Sequence, residues 1–328
     1  MTIHFIHDDT YGNWVLGATH PTQGRRYLHA AALLQDIAPA AELDLKILPT
    51  REASRAELSL VHSQEYIDRV LVDFDGGAWD GGPNRELSRL ASALFGGTMV
   101  AVEQVRVGAL NVVHLPGAKH HAQANQSSGF CVFADFAAAA TALVQEDGRK
   151  VAILDIDVHH GDGTENLTRE NRSILTFSVH QTGIFPGTGW VREDDHEHQV
   201  FNRPLNAGDG DAELLEAVRE FVVEAKAFGA DVILIAGGAD GHAEDSLARL
   251  NYGIYGFNRA VGLVREAFAS TPVIFGGAGG YRPDDFTPMM WVSAICALGG
   301  VGPDGVEALD LEGRIGGIVA SVSGSTLV

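Results

Sequence analysis

Short apolar runs alternate with longer amphipathic stretches along this 328-residue chain. The runs Thr2–His7, Leu43–Leu48, Ala109–Leu115, Lys150–Ile156, Ile174–Val179, Asp231–Ala236 and Pro272–Phe275 read as strands. Between them, Gln23–Ile37, Gln64–Phe74, Arg85–Val105, Ala134–Gln145, Asp211–Phe228 and Tyr255–Phe268 place apolar residues at helical spacing, with Asp211 expected as an N-cap. Such alternation predicts an α/β protein with a mostly parallel sheet and helices on both faces. No Pro/Ser-rich linker, composition break or internal repeat interrupts the pattern, so residues 1–328 are expected to form one domain.

Ligands of open α/β sheets bind outside the carboxyl ends of the strands. Here those ends are rich in chemistry. Ala109–Leu115 leads to His120 and His121, and Lys150–Ile156 leads to Asp155, Asp157, His159, His160 and Asp162. Asp231–Ala236 leads to Asp240, and Pro272–Phe275 leads through a glycine-rich turn to Tyr281. Side chains alternate along an extended segment, so Asp155, Asp157 and His159 are expected to share one side. Buried charge is costly unless paired or metal-bound, which makes this segment a site rather than packing. Asp157, His159 and Asp240 offer two oxygens and one nitrogen, a set that suits a catalytic divalent ion such as zinc. Such an ion lowers the pKa of water and polarises a carbonyl. Tandem histidines can handle the protons while carboxylates orient their rings, and a tyrosine on a tight turn can donate to an oxyanion. The parts describe metal-assisted hydrolysis of a carbonyl compound.

The blocks His120-His121-Ala122, Gly129-Phe130-Cys131, Asp155 through Thr164, Phe185-Pro186-Gly187-Thr188-Gly189, Gly238-Ala239-Asp240 and Gly279-Gly280-Tyr281 resemble the motifs of the histone deacetylase superfamily, in the family's order. Its bacterial branches include acetoin-utilisation proteins and acetylpolyamine amidohydrolases. The resemblance implies the three-layer arginase–deacetylase fold, with a sheet of about eight strands. It implies Asp157, His159 and Asp240 as ligands of one catalytic zinc ion. His121 would act as general base and then acid, paired with Asp162, and His120 would pair with Asp155. Tyr281 would bind the substrate carbonyl, Phe130 and Phe185 would wall an acyl-lysine-width tunnel, and the Gly129 backbone would contact the substrate stem. A structural potassium ion would use Asp155, Asp157, His159, Ser178 and Val179. The chain departs from the family at Ala134, where asparagine is usual, and at Gly241, where alanine is common.

On this reading the substrate is an acetylated amine, either acetyl-lysine in a protein or an acetylpolyamine. An arginase-type ureohydrolase would need a second acid two residues after Asp240, where His242 stands. A non-catalytic acetyl-lysine binder would be favoured by loss of a ligand or of Tyr281, and neither is lost. Net charge of −20 argues against nucleic acid and favours cationic ligands. Two distant cysteines, Cys131 and Cys296, suit a reducing compartment, with Cys131 a packing residue. The first residues lack a basic n-region and a long apolar stretch, and no run reaches the roughly 18 apolar residues of a membrane span. A cytoplasmic protein is expected, with a homo-oligomer open. The run Glu193 to His198 and the aspartates Asp73, Asp75 and Asp80 are expected to be solvated loops, and His160 a structural residue.

Overall fold

The computed structural model describes residues 1–324. Nine strands form in chain order: β1 (Thr2–Ile6), β2 (Asp44–Leu48), β3 (Asn111–His114), β4 (Val151–Asp155), β5 (Ile174–Gln181), β6 (Glu193–Asp195), β7 (Val200–Leu205), β8 (Val232–Ala236) and β9 (Val273–Gly276). They pair as one sheet in the order β2-β1-β3-β9-β8-β4-β5-β7-β6. Every pairing is parallel except that of β6 with β7. This is the three-layer arginase–deacetylase architecture expected from the sequence.

Residue alternation sorts the interior into two layers. Val113, Ala152, Leu154, Ile233, Ile235 and Phe275 face one cluster, shared with the helices Arg25–Ile37, Asp211–Phe228, Ile254–Ala267 and Phe286–Leu298. Their neighbours Val112, Val151, Ile153, Val232, Leu234 and Ile274 face the other, with residues of Arg85–Arg106 and Asp135–Asp147. Central strands covered on both faces read as unbroken apolar runs, which is why the sequence exposed them. No helix among the described residues is long and apolar enough to cross a membrane.

Two expectations are corrected and one strand is added. The run from Glu193 is not simply a solvated loop: Glu193–Asp195 is an edge strand, held by Arg169 to Glu193 and Asp195, and by Arg203 and Arg192 to Asp194. The partner strand β7 escaped notice because Asn202, Arg203 and Pro204 break its apolar run. Asp211 does not cap its helix. It is the first helical residue and accepts from the Gly253 N–H at 2.8 Å, while the Gly210 N–H donates to the Glu213 carboxylate at 2.9 Å.

Phe286–Leu298 lies behind the β8 and β9 ends and is buried all round from Thr287 onward, so no amphipathic stripe marked it. Its Trp291 stacks on Tyr27 with ring centroids 5.7 Å apart, and its indole N–H donates to the Gly237 and Gly277 carbonyls at 3.1 and 2.9 Å. These carbonyls stand just beyond β8 and β9, so one side chain ties two site-bearing strand ends. Trp291→Phe should lower the unfolding free energy by about 2 kcal/mol, because it leaves two buried carbonyls without a donor. Urea titration checks this.

Helix Asp135–Asp147 begins after Ala134, which has no side-chain acceptor to cap it. His62 supplies tethering from outside: its Nε2 accepts the Ala134 N–H at 2.9 Å while Nδ1 donates to the Gln123 carbonyl at 3.1 Å. That arrangement requires a neutral ring, and burial pushes His62 down to about 4. Burial likewise pushes His114 down to about 3. Both groups take up protons more readily in the unfolded chain, so they cost stability as pH falls from about 6.5 toward 4. The melting temperature should drop across that window, and His62→Gln should flatten the drop.

Candidate metal centre and active site

β4 ends at Asp155, so strand alternation is not what gathers the next carboxylate and imidazole. Side chain to backbone bonds do it instead. The Asp157 N–H donates to Asp155 Oδ1 at 3.1 Å, and the His159 N–H donates to Asp157 Oδ1 at 2.9 Å. Each is a carboxylate accepting from the residue two positions on, the local turn that aspartate favours. Asp240 enters from the short turn Ala239–Gly241 after β8, and its Oδ1 accepts the Val158 N–H at 3.1 Å. Gly279, beyond β9, donates its N–H to Asp157 Oδ2 at 2.6 Å. A Cβ on Gly279 would lie 2.1 Å from Asp240 Oδ2, so only glycine permits this approach.

The result is a buried set, Asp157, His159 and Asp240, whose donor atoms all lie within 4.8 Å of one another. His159 Nδ1 is 3.2 Å from Asp157 Oδ1 and 3.2 Å from Asp240 Oδ2. Donors around a tetrahedral ion with bonds of about 2.0–2.1 Å stand about 3.3 Å apart, so the spacing and chemistry of the set fit a divalent metal. The electrostatics agree. Burial and the facing Asp157 push Asp240 up to about 7. Burial opposes the charge of Asp157, yet His120 and His159 hold its carboxyl well below the usual carboxylate range. Burial also opposes protonation of His159, but Asp157 and Asp240 raise it to about 10. Two carboxylates this close and this dry call for a cation.

The two histidines sit against this set with their rings 4.0 Å apart. His120 Nδ1 donates to Asp155 Oδ2 at 2.7 Å, and its Nε2 lies 3.7 Å from Asp157 Oδ1. His121 Nδ1 donates to Asp162 Oδ1 at 2.7 Å. Their charge states divide. Burial works against a charged His120, but Asp155 and Asp157 outweigh it and push the ring up to about 9. Burial and the neighbouring His120 push His121 down to about 3. At neutral pH one ring is an imidazolium and the other a free base.

Tyr281 stands across from them, and its hydroxyl has no hydrogen-bond partner among the described residues. Burial raises its pKa well above the ordinary value, with Asp240 and Asp157 adding to the effect, so the phenol stays protonated. Its ring meets Phe130 edge-on at 6.0 Å, and Phe185 meets His121 edge-on at 4.9 Å. Phe185 is about half exposed. Gly129, in the left-handed region, would bring a Cβ to 2.3 Å from His121.

Ser178 pairs in register with Asp155, and its Oγ lies 2.9 Å from His180 Nδ1, with Val179 next on β5. His160 turns away from the donor set and bonds to Thr188 and Glu165. Asp75 accepts from the Gly77 N–H within its own turn, while Asp80 N–H donates to the Leu16 carbonyl.

Several neighbours went unmarked in the sequence. Gln123 donates to Asp162 Oδ2 at 3.0 Å, holding the second oxygen of that carboxylate. Arg26 and Lys119 line a small cavity behind His120 and Tyr281, together with Thr22 and Cys131. Arg26 had a usable signal, since it falls on the buried helical stripe of Ala30, Leu33 and Ile37. Gln123 and Lys119 had none, because each is a polar residue in an irregular segment.

A family model for the histone deacetylase domain matches residues 20–298. The chain belongs to the histone deacetylase superfamily. It is 32% identical over 321 residues to the acetoin utilization protein AcuC of Bacillus subtilis (strain 168), with 91% of this chain and 82% of that relative covered. It is 31% identical over 313 residues to the histone deacetylase-like amidohydrolase of Pseudomonas aeruginosa, covering 88% of this chain and 80% of that protein. The AcuC of Staphylococcus aureus (strain COL) is 31% identical over 276 residues, covering 77% and 71%. As a superfamily member the chain is a hydrolytic deacetylase.

A divalent ion at 100 times its dissociation constant should add about 2.7 kcal/mol of stability. Asp240→Asn should abolish that gain while stabilising the metal-stripped protein, since it removes one of two facing charges. Thermal melting with chelator and with added Zn²⁺ checks both halves.

Proposed function

We propose that this chain is a zinc-dependent amidohydrolase that removes acetyl groups from amines, with acetyl-lysine or acetylpolyamine as substrate. The observation that carries this reading is the pair of adjacent histidines, each bonded through Nδ1 to its own aspartate at 2.7 Å, beside a buried Asp-His-Asp set. A site that moves one proton needs one neutral imidazole, and stabilising an oxyanion needs fixed positive charge and donors.

Asp157, His159 and Asp240 would hold the ion. When bound, it supplies Lewis acidity toward water and the scissile carbonyl. The remaining steps belong to the chain. Phe130 and Phe185 line the acyl stem and exclude water, and the Gly129 backbone touches it. His121 takes a proton from the attacking water and later delivers it to the leaving amine, while Asp162 holds its ring through Nδ1. His120, kept positive by Asp155, stabilises the developing negative charge. The Tyr281 hydroxyl donates to the carbonyl oxygen as it becomes an oxyanion. A structural potassium ion is assigned to Asp155 with Ser178 and the carbonyls of Asp157, His159 and Val179. Net charge of −20 supports a substrate that is cationic outside its acyl group. A two-metal ureohydrolase is disfavoured, because His242 stacks on Phe286 at 4.2 Å rather than joining the donor set.

Assay against acetyl-lysine peptides and acetylated spermidine, putrescine and cadaverine should reveal chelator-sensitive amine release. Asp157→Ala should abolish it, and Tyr281→Phe should lower kcat by about 100-fold. Full activity in Tyr281→Phe would remove the oxyanion role, and zinc-loaded protein inert on every acylated amine would favour a binder.

A further inference from the structure

We infer that Asp245 is the positioning residue for Tyr281, an inference that rests on the oxyanion-donor role proposed above. A phenol whose hydroxyl has no protein partner must be aimed by its ring and its backbone. The ring is bounded by Phe130 at 6.0 Å and the Arg26 guanidinium at 5.8 Å. The backbone before it is pinned group by group. Gly279 donates its N–H to Asp157, the Gly279 carbonyl accepts the Ala239 N–H at 2.9 Å, and the Gly280 carbonyl accepts from Arg26 Nη1 at 2.5 Å. The last link is the Tyr281 N–H itself, which donates to Asp245 Oδ2 at 2.8 Å.

That link matters because of what precedes it. Gly280 has φ +138°, a conformation that L side chains rarely adopt. The peptide leading into Tyr281 is therefore a glycine joint, held at its carbonyl by Arg26 and at its N–H by Asp245. Asp245 is the anchor on the tyrosine side. It is buried, forms no ion pair among the described residues, and spends its two oxygens on backbone amides: Tyr281 through Oδ2, and Leu247 through Oδ1 at 3.0 Å. Its own N–H donates to the His242 carbonyl at 2.9 Å. A buried carboxylate outside any ion pair is a costly group to use for packing, and the two amide donors offset that cost. Asp245 also lies five residues beyond Asp240 in the same loop. One loop thus carries a donor of the metal set and the tether of the phenol, which fixes the spacing between them.

The test is a double-mutant cycle. Asp245→Ala and Asp245→Asn are made in the wild type and in Tyr281→Phe. kcat and KM are measured on an acetyl-lysine peptide, with zinc content and melting temperature as checks on folding. A misaimed donor of this kind costs about 10- to 100-fold. Asp245→Ala should therefore lower kcat by that factor with KM changed less than about threefold. Asp245→Asn, which keeps one acceptor oxygen, should recover most of the loss. In Tyr281→Phe, where no hydroxyl is left to aim, either substitution should cost less than about twofold. Equal fold losses in both backgrounds, or unchanged kcat in Asp245→Ala, would overturn the inference while leaving the Tyr281 role intact. Full activity in Tyr281→Phe alone would instead overturn the role and the inference together. If Asp245→Ala does not fold, Asp245→Ser, whose hydroxyl falls short of the Tyr281 N–H, takes its place in the cycle under the same criteria.

Discussion

Asp157 and Asp240 are two fully buried carboxylates that reach the same imidazole nitrogen, each from 3.2 Å. Like charges so placed repel in a medium that screens them poorly, and the rest of the structure can be understood as the apparatus that keeps them together. The parallel sheet delivers them from adjacent strands, β4 and β8, at one end. Backbone amides of Val158, His159 and Gly279 donate to them. Glycine at 279 admits the chain where any side chain would collide with Asp240. What remains at the centre is negative potential facing inward, the condition a divalent cation relieves.

The same field sorts the histidines. His120 touches Asp155 and approaches Asp157, so it faces two carboxylates and holds its proton. His121, one residue along, has a single carboxylate partner and a charged ring beside it, so it gives its proton up. Sequence neighbours with identical side chains thus shift in opposite directions, His120 upward by its two aspartates and His121 downward by burial and the His120 ring. Residue type alone would never separate them.

The legible parts of the fold were those with a period. Of the strands legible in the sequence, β3, β4, β5, β8 and β9 announced themselves because burial on both faces demands apolar runs, and most helices did because one face is polar. Phe286–Leu298 was illegible for the reverse reason: buried all round, it has no stripe. β7 was hidden by Arg203, a buried cation neutralised by Asp194 and Glu220, residues distant enough that no local pattern reveals the pairing. At the site, the ligating residue types stood out because several charged groups at strand ends have no packing explanation. The means of bringing them together did not. The turns made by Asp155 and Asp157 lie past the strand, and Gln123, Lys119 and Asp245 look like ordinary loop residues until their partners are known.

The sheet's two edges are built on different physics. β2 closes one side and carries its own lysine, but β6 is three acidic residues whose attachment depends on Arg169, Arg192 and Arg203. Half-exposed ion pairs weaken as the Debye length shrinks from about 10 Å at 0.1 M salt to about 3 Å at 1 M. The β6 margin is therefore the salt-responsive edge of the sheet. Arg169 also holds Glu165, which bonds His160, and His160 bonds Thr188 three residues beyond Phe185, so ionic strength has a physical route from that border toward the Phe185 loop.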